Sequence, residues 1–276
     1  MLSHAAALLV ATATSLEMVT VELPALKDAT LIQDSQDLAN GAGDGIYAGR
    51  VGSSGGGLRR RGLIAFDVTG AIPGGATILS ATLTLQLVAT TSGTQVVSLH
   101  RVTAAWSEGP TAPPGGEGFP AAPGDTTWTK RVFPDLAWSA AGGSFVAAAS
   151  AIAPVDQTES YEWASAAMAS DVQAWLDAPT SNHGWLIRGN ESLTKTAKKF
   201  ASREALSTDY RPRLVVTFEP PPEPCAPADL DCDGVVGSAD LGTLLGAWGT
   251  AGPGDLSGDG IVGPDDLSVL LGAWTT

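Results

Sequence analysis

Ala81-Thr-Leu-Thr-Leu-Gln-Leu-Val88 sets Leu83, Leu85 and Leu87 at every second position, with Thr82, Thr84 and Gln86 between them. Successive side chains of a strand point to opposite faces, so this stretch predicts a strand with one buried face and one wet one. Half-buried strands belong to antiparallel sheets, because parallel sheets are covered on both faces and read as unbroken apolar runs. Outward from it, strands are predicted over 29–33, 62–68, 77–88, 95–102 and 214–218, with shorter ones over 161–163, 184–189 and 198–202. Within 23–218 only 170–176 follows helical spacing, through Val172, Trp175 and Leu176, with Ser170 as a possible cap. The 33 glycines and 18 prolines supply turns between many strands, and 44% hydrophobic residues suffice for a core. A mainly β chain built as a two-sheet antiparallel sandwich follows.

Two segments break the strand pattern. Residues 107–126 are dense in Gly and Pro and read as a long loop, while the small residues of 140–151 offer little packing volume and are expected to cross the surface. Pro220-Pro-Pro-Glu-Pro224 can join neither ladder nor helix and reads as a stiff linker. The chain therefore divides into 1–22, a large domain over 23–219, a linker over 220–227 and a small domain over 228–276. Residues 1–22 hold a short apolar run ending in Ala11-Thr-Ala13, without Lys or Arg ahead of it. A cleaved secretion signal and an ordinary disordered or strand-forming start both stay open.

The small domain is a duplication. Asp229-Leu-Asp-Cys-Asp-Gly-Val-Val-Gly-Ser-Ala-Asp240 and Asp255-Leu-Ser-Gly-Asp-Gly-Ile-Val-Gly-Pro-Asp-Asp266 each lead into a segment ending Leu-Leu-Gly-Ala-Trp. Oxygens at loop positions one, three, five, seven and twelve can surround one hard cation, and calcium is that cation. The ligands would be Asp229, Asp231, Asp233, the Val235 carbonyl and Asp240, then Asp255, Ser257, Asp259, the Ile261 carbonyl and Asp266. Gly234 and Gly260 permit the turn at position six. Ser257 replaces a carboxylate, so the second site is expected to bind more weakly. Leu241, Leu244, Leu245 and Trp248, like Leu267, Leu270, Leu271 and Trp274, recur at helical spacing, and the two stripes are expected to bury one another.

Net charge is −14, and the nine acids of 220–276 stand without a single Lys or Arg. Such a tail repels itself without a counterion, so calcium binding and folding should be coupled. The balance also argues against a nucleic-acid partner. Cys225 and Cys232 are the only cysteines; a local disulfide and two free thiols both fit the sequence. No stretch is long enough for a membrane span.

Residues 229–274 resemble a type I dockerin domain of the GC-type subgroup. The resemblance implies calcium-dependent folding and attachment of a secreted or cell-surface protein to a cohesin-like partner in polysaccharide-degrading machinery. The family's partner-contacting positions, ten and eleven of each loop, are Ser238, Ala239, Pro264 and Asp265 here. In the large domain, Arg61-Gly-Leu-Ile-Ala-Phe-Asp67, Val102-Thr-Ala-Ala-Trp-Ser-Glu108, Asp171-Val-Gln-Ala-Trp-Leu176, Phe200-Ala-Ser-Arg-Glu204 and Arg211-Pro-Arg-Leu-Val-Val216 occur in order. They resemble the DNRLRE domain, which is similar to the disaggregatase-related repeat and to carbohydrate-binding module family 96. That resemblance implies a jelly-roll-like sandwich binding polysaccharide, acidic ones included; the insertion after Glu108 departs from it.

Among eight Trp residues, Trp106, Trp163, Trp175 and Trp185 sit in strand or helix patterns and are expected in the core, whereas Trp128 and Trp138 lie in looser segments, where platforms for sugar rings and core packing both stay open. An acidic glycan requires cations, and Arg fits carboxylate geometry. Arg59 and Arg61 would share a strand face. With Trp128, Lys198 and Arg203 they are the preferred ligand contacts; the competing reading makes the cations solvated residues that discourage edge pairing. No nucleophile elbow, HExxH or Ser-His-Asp phrase appears, and no residue is assigned a catalytic role. A secreted, non-catalytic carbohydrate-binding protein docked through its tail is the leading reading, with a docked glycoside hydrolase or lyase and a structural surface protein as alternatives.

Overall fold

The computed structural model describes residues 17–222 and 224–275. They form two compact units whose boundary falls between Pro221 and Pro222, inside the proline run. The apolar run of residues 1–16, read as a signal or a plain start, lies outside the described residues.

The first unit contains β1 (Val19–Ile32), β2 (Leu38–Ala39), β3 (Gly45–Arg50), β4 (Arg59–Phe66), β5 (Thr77–Thr90), β6 (Gln95–Arg101), β7 (Phe119–Pro120), β8 (Lys130–Val132), β9 (Leu136–Ala137), β10 (Ala151–Val155), β11 (Ser160–Ala164), α1 (Ala166–Asp177), β12 (Trp185–Arg188), β13 (Lys198–Ala201) and β14 (Arg213–Glu219). All strand pairings are antiparallel. β1 changes partner at an irregularity between Ala25 and Lys27, pairing first with β14 and then with β4. β14, β5, β13 and β3 complete a circuit back to β4, while β12, β6 and β10 extend from β4 and β11 lies on β5. Val19 already pairs with Phe218, so the sheet includes residues ahead of the boundary expected at residue 23.

Leu83, Leu85 and Leu87 are fully buried, as the alternation predicts, and enter one core with Ile64, Phe66, Val97, Leu99, Trp185, Ile187, Leu214 and Val216. The helix is longer than its spacing suggested. Ser165, not Ser170, caps it, its Oγ accepting the Met168 N–H at 3.0 Å. The Ser170 hydroxyl instead donates to the Ala166 carbonyl one turn back. Met168, Val172, Trp175 and Leu176 bury one face of α1, where Trp175 packs 4.5 Å from Trp185 between ring centroids.

A second apolar cluster lies on the opposite face of β4 and β12. Leu31, Leu63, Ala65 and Leu186 alternate with residues of the main core and pack with Trp106, Trp128 and Trp138. Residues 102–145 thus cover the outer face of this layer, and β4 is buried almost throughout. Trp128 and Trp138 are therefore not exposed platforms. The Trp138 indole donates to the Thr127 carbonyl at 3.0 Å, and both rings are buried. Trp106, Trp163, Trp175 and Trp185 are buried as expected.

The second unit carries α2 (Ser238–Gly246) and α3 (Pro264–Gly272). Its core is Ala228, Val236, Leu244, Val262 and Leu270. Only part of each predicted stripe is buried: Leu241 and Leu267 are half-buried, and Leu245, Trp248, Leu271 and Trp274 are exposed. Helices of nine residues present too few turns to bury a whole stripe, and Val236 and Val262, at loop position eight, supply the missing core volume. No helix among the described residues is long and apolar enough to cross a membrane.

Candidate metal loops and a cationic surface

In the first loop the carboxylates of Asp229, Asp231 and Asp233 offer oxygens within 4.8 Å of one another; in the second, Asp255, Asp259 and Asp266 do so. Gly234 and Gly260 have φ of 86° and 97°, the left-handed backbone that position six requires. Asp229 accepts the amides of Asp233 at 3.1 Å and Gly234 at 2.9 Å, and Asp255 accepts that of Gly260 at 2.8 Å. Asp240 and Asp266, at position twelve, are also the third residues of α2 and α3 and reach back to the amides of Gly237 at 2.7 Å and Gly263 at 2.6 Å. Those amide bonds hold both carboxyls below their ordinary range. Asp240 stands apart from the Asp229 trio and spends its oxygens on backbone amides. The Ser257 hydroxyl faces Asp255 at 3.4 Å. An all-oxygen set of this kind suits a hard divalent cation.

Cys225 and Cys232 are joined, with Cα atoms 5.1 Å apart, tying the approach to the first loop to its fourth position. Ser238, Ala239, Pro264 and Asp265 are exposed on the first turns of the two helices.

In the sheet unit, Arg59 and Arg61 do share a face, and Arg188 of β12 joins them around one carboxylate. Arg61 forks onto Glu191 at 2.6 and 2.9 Å, while Arg188 and Arg59 approach it at 3.5 and 3.7 Å. Burial opposes ionisation of Glu191, but the hydrogen bond and charge of Arg61, then Arg188 and Arg59, outweigh it and leave the carboxyl below its ordinary range. Arg61 itself is buried beneath Gly142 and lies 4.8 Å from the Trp128 ring centroid. At Gly142, whose φ is 89°, a Cβ would come within 2.5 Å of the Arg61 guanidinium. Arg59 and Arg188 remain 42% and 41% exposed, and Arg188 lines a cleft of about 490 Å³ with Gln95, Ser98, Asn190 and Ser192. Three guanidinium groups around one carboxylate leave this face net positive.

Lys198 is not available as a ligand contact. It is fully buried, and its ammonium donates to Thr90 Oγ1, the Ser92, Gly93 and Asp156 carbonyls at 2.8–3.1 Å. Arg203 is committed as well, forking onto Glu108 at 2.8 and 2.9 Å and lying 3.0 Å from Glu204. These side chains with Asp28 form a carboxylate cluster in which Arg203 supplies the countercharge. Asp28 is buried, which pushes its carboxyl well above its ordinary value; Glu204 and Glu108 push the same way, and the Arg203 amide opposes them. A carboxyl raised in the fold detracts from stability at neutral pH, and the cost is relieved as pH falls through the folded value. Asp28→Asn keeps an acceptor for the Arg203 amide and removes the charge. Melting temperature at pH 7 should rise by roughly 2–4 °C, the response to about 1 kcal/mol for a unit this size, and the gain should shrink toward pH 4. A lower melting temperature at pH 7 would refute this electrostatic account.

The His100 Nδ1–H donates to the Val146 carbonyl at 3.0 Å and its Nε2 lies 3.0 Å from Ser98 Oγ, with no carboxylate hydrogen-bonded to the ring among the described residues. The pair lacks the acid that orients a catalytic base. No protein-family model matches the chain, and no curated protein matches it.

Proposed function

We propose that the chain is a secreted, non-catalytic carbohydrate-binding protein. The sheet unit acts as a jelly-roll-like module for acidic polysaccharide, and residues 228–276 as a calcium-dependent docking domain for a cohesin-like partner. The observation that carries the reading is the duplicated twelve-residue loop, each copy converging three carboxylates and running into a helix. Calcium held by Asp229, Asp231, Asp233 and the Val235 carbonyl, and by Asp255, Ser257, Asp259 and the Ile261 carbonyl, with Asp240 and Asp266 closing the loops, would neutralise the acids and fix both helix starts. Ser238, Ala239, Pro264 and Asp265 then stand on the outer first turns, where a partner can reach them. The local disulfide accords with an oxidising compartment.

For the glycan, the exposed Arg59 and Arg188 offer fork donors that match a uronate carboxylate. Binding of the full chain to alginate and polygalacturonate should exceed binding to a neutral glucan and weaken as salt rises from 0.05 to ~0.5 M, because exposed charge pairs are screened. No reducing ends or unsaturated sugars should appear in the supernatant. Product release would instead make the protein an enzyme, and absence of any polysaccharide binding would leave a structural role.

A further inference from the structure

The two acidic loops of the second unit differ at position four, and the difference is covalent. In the second loop that position is Gly258, with φ 78°, and its amide donates to the Asp255 carboxylate at 2.8 Å. In the first it is Cys232, which holds the same left-handed backbone at φ 62°. A Cβ makes that state unfavourable, and glycine enters it freely. Unlike that of Gly258, the Cys232 amide donates to no side chain among the described residues. What holds the turn in the first loop is the bond to Cys225.

The link closes a ring over 225–232 that contains ligand positions one and three, Asp229 and Asp231, and stops one residue short of position five, Asp233. Inside the ring the Asp229 amide donates to the Ala226 carbonyl at 2.8 Å, and Asp229 is buried, so the turn that presents it is already made. Cys232 stands between Asp231 and Asp233, whose carboxylates meet that of Asp229 within 4.8 Å. Any relaxation of its backbone therefore shifts two of the three carboxylates relative to each other. Both cysteines are exposed, so a thiol reagent reaches the bond. They are the only cysteines in the chain, so a reductant has one target. The second loop, with glycine at position four and no link, is a control within the same molecule.

We infer that the Cys225–Cys232 disulfide is a redox clip on the first loop: closed, it holds Cys232 in the left-handed turn that sets Asp229, Asp231 and Asp233 around a cation, and opening it weakens that site while sparing the second. The tail then assembles fully only where calcium and oxidising conditions coincide. Opening the clip takes two electrons and two protons from a dithiol, which closes to its own disulfide and leaves two thiols on the chain. The inference rests on the calcium reading of the loops.

The test is a calcium titration of the full chain by NMR, with and without dithiothreitol. The amides of Gly234 and Gly260, which donate to Asp229 and Asp255, report the two loops separately. Reduction should raise Kd at the first loop about tenfold, the factor matching the cost of a non-glycine residue in the left-handed region, and change the second by less than about twofold. Cys225→Ala should reproduce the reduced protein without any reductant. In that background Cys232→Gly should recover part of the lost affinity and Cys232→Ser none, because only glycine removes the backbone penalty. Equal weakening of both loops, or glycine and serine variants that bind alike, would overturn the clip. If both loops bind calcium and reduction alters neither, the clip is refuted and the calcium reading stands. If neither glycine signal responds to calcium in the oxidised chain, both fall.

Discussion

Chelation of calcium from the full chain is expected to unfold residues 228–275 and leave the sheet unit folded. Eight acids and no base occupy this tail, and in each loop three carboxylate oxygens lie within 4.8 Å of one another. Against that repulsion the unit sets a core of five buried residues, of which Leu244 and Leu270 are the only fully buried leucines. Helices of nine residues do not persist alone in water, so nothing local rescues α2 and α3. The disulfide spans only Cys225 to Cys232 and reaches neither helix. Far-UV helical signal should fall to what α1 alone supplies, and an aspartate-directed protease should cut the tail rapidly in chelator and slowly in calcium. Titration should resolve two affinities, and Ser257→Asp should strengthen the weaker one by adding a carboxylate. Helical signal and cleavage rate indifferent to chelator would refute a calcium-built tail.

The strands were legible because their signal is local. Leu83, Leu85 and Leu87 carry their burial in their spacing, and Phe200 carries that of β13. The same spacing held a warning about Lys198: two positions from Phe200 on a strand, it shares the inward face, and only its ring of four oxygens makes that tolerable. Trp128 and Trp138 stayed open between surface and core for a different reason. Their burial depends on residues 102–145 folding back over Leu63 and Leu186, a contact of long sequence separation that no period records. Glu191 was missed as the hub of Arg59, Arg61 and Arg188 because the loop after β12 shows no pattern. Val236 and Val262 enter the core from loop position eight, one apolar position per repeat, which shows no period of its own.

Arg61→Ala should be the most damaging single change in the sheet unit outside the main core. Arg61 and Glu191 are 9% and 7% exposed, and their paired hydrogen bonds at 2.6 and 2.9 Å join β4 to the loop after β12. Removing one partner of a buried pair leaves the other charge desolvated, which costs about 3–5 kcal/mol. Loss of the guanidinium also uncovers Trp128, 4.8 Å away, and frees the Gly142 carbonyl that Arg61 holds at 2.7 Å. At roughly 2–4 °C per kcal/mol, the melting temperature should drop by about 6–20 °C. Arg61→Lys should recover little, because an ammonium cannot fork onto both carboxylate oxygens. Arg61→Ala combined with Glu191→Ala should be less harmful than the sum of the two, as expected for residues in direct contact. Because the Glu191 carboxyl is depressed in the fold, its stabilisation is present above the unfolded value and is lost as pH falls through the folded one. The gap between wild type and Arg61→Ala should therefore narrow below about pH 4, where an unfolded glutamate takes up its proton. A melting temperature within 2 °C of wild type at pH 7, on the order of the response to a single kcal/mol, would mean that the tryptophan-lined covering holds without this pair.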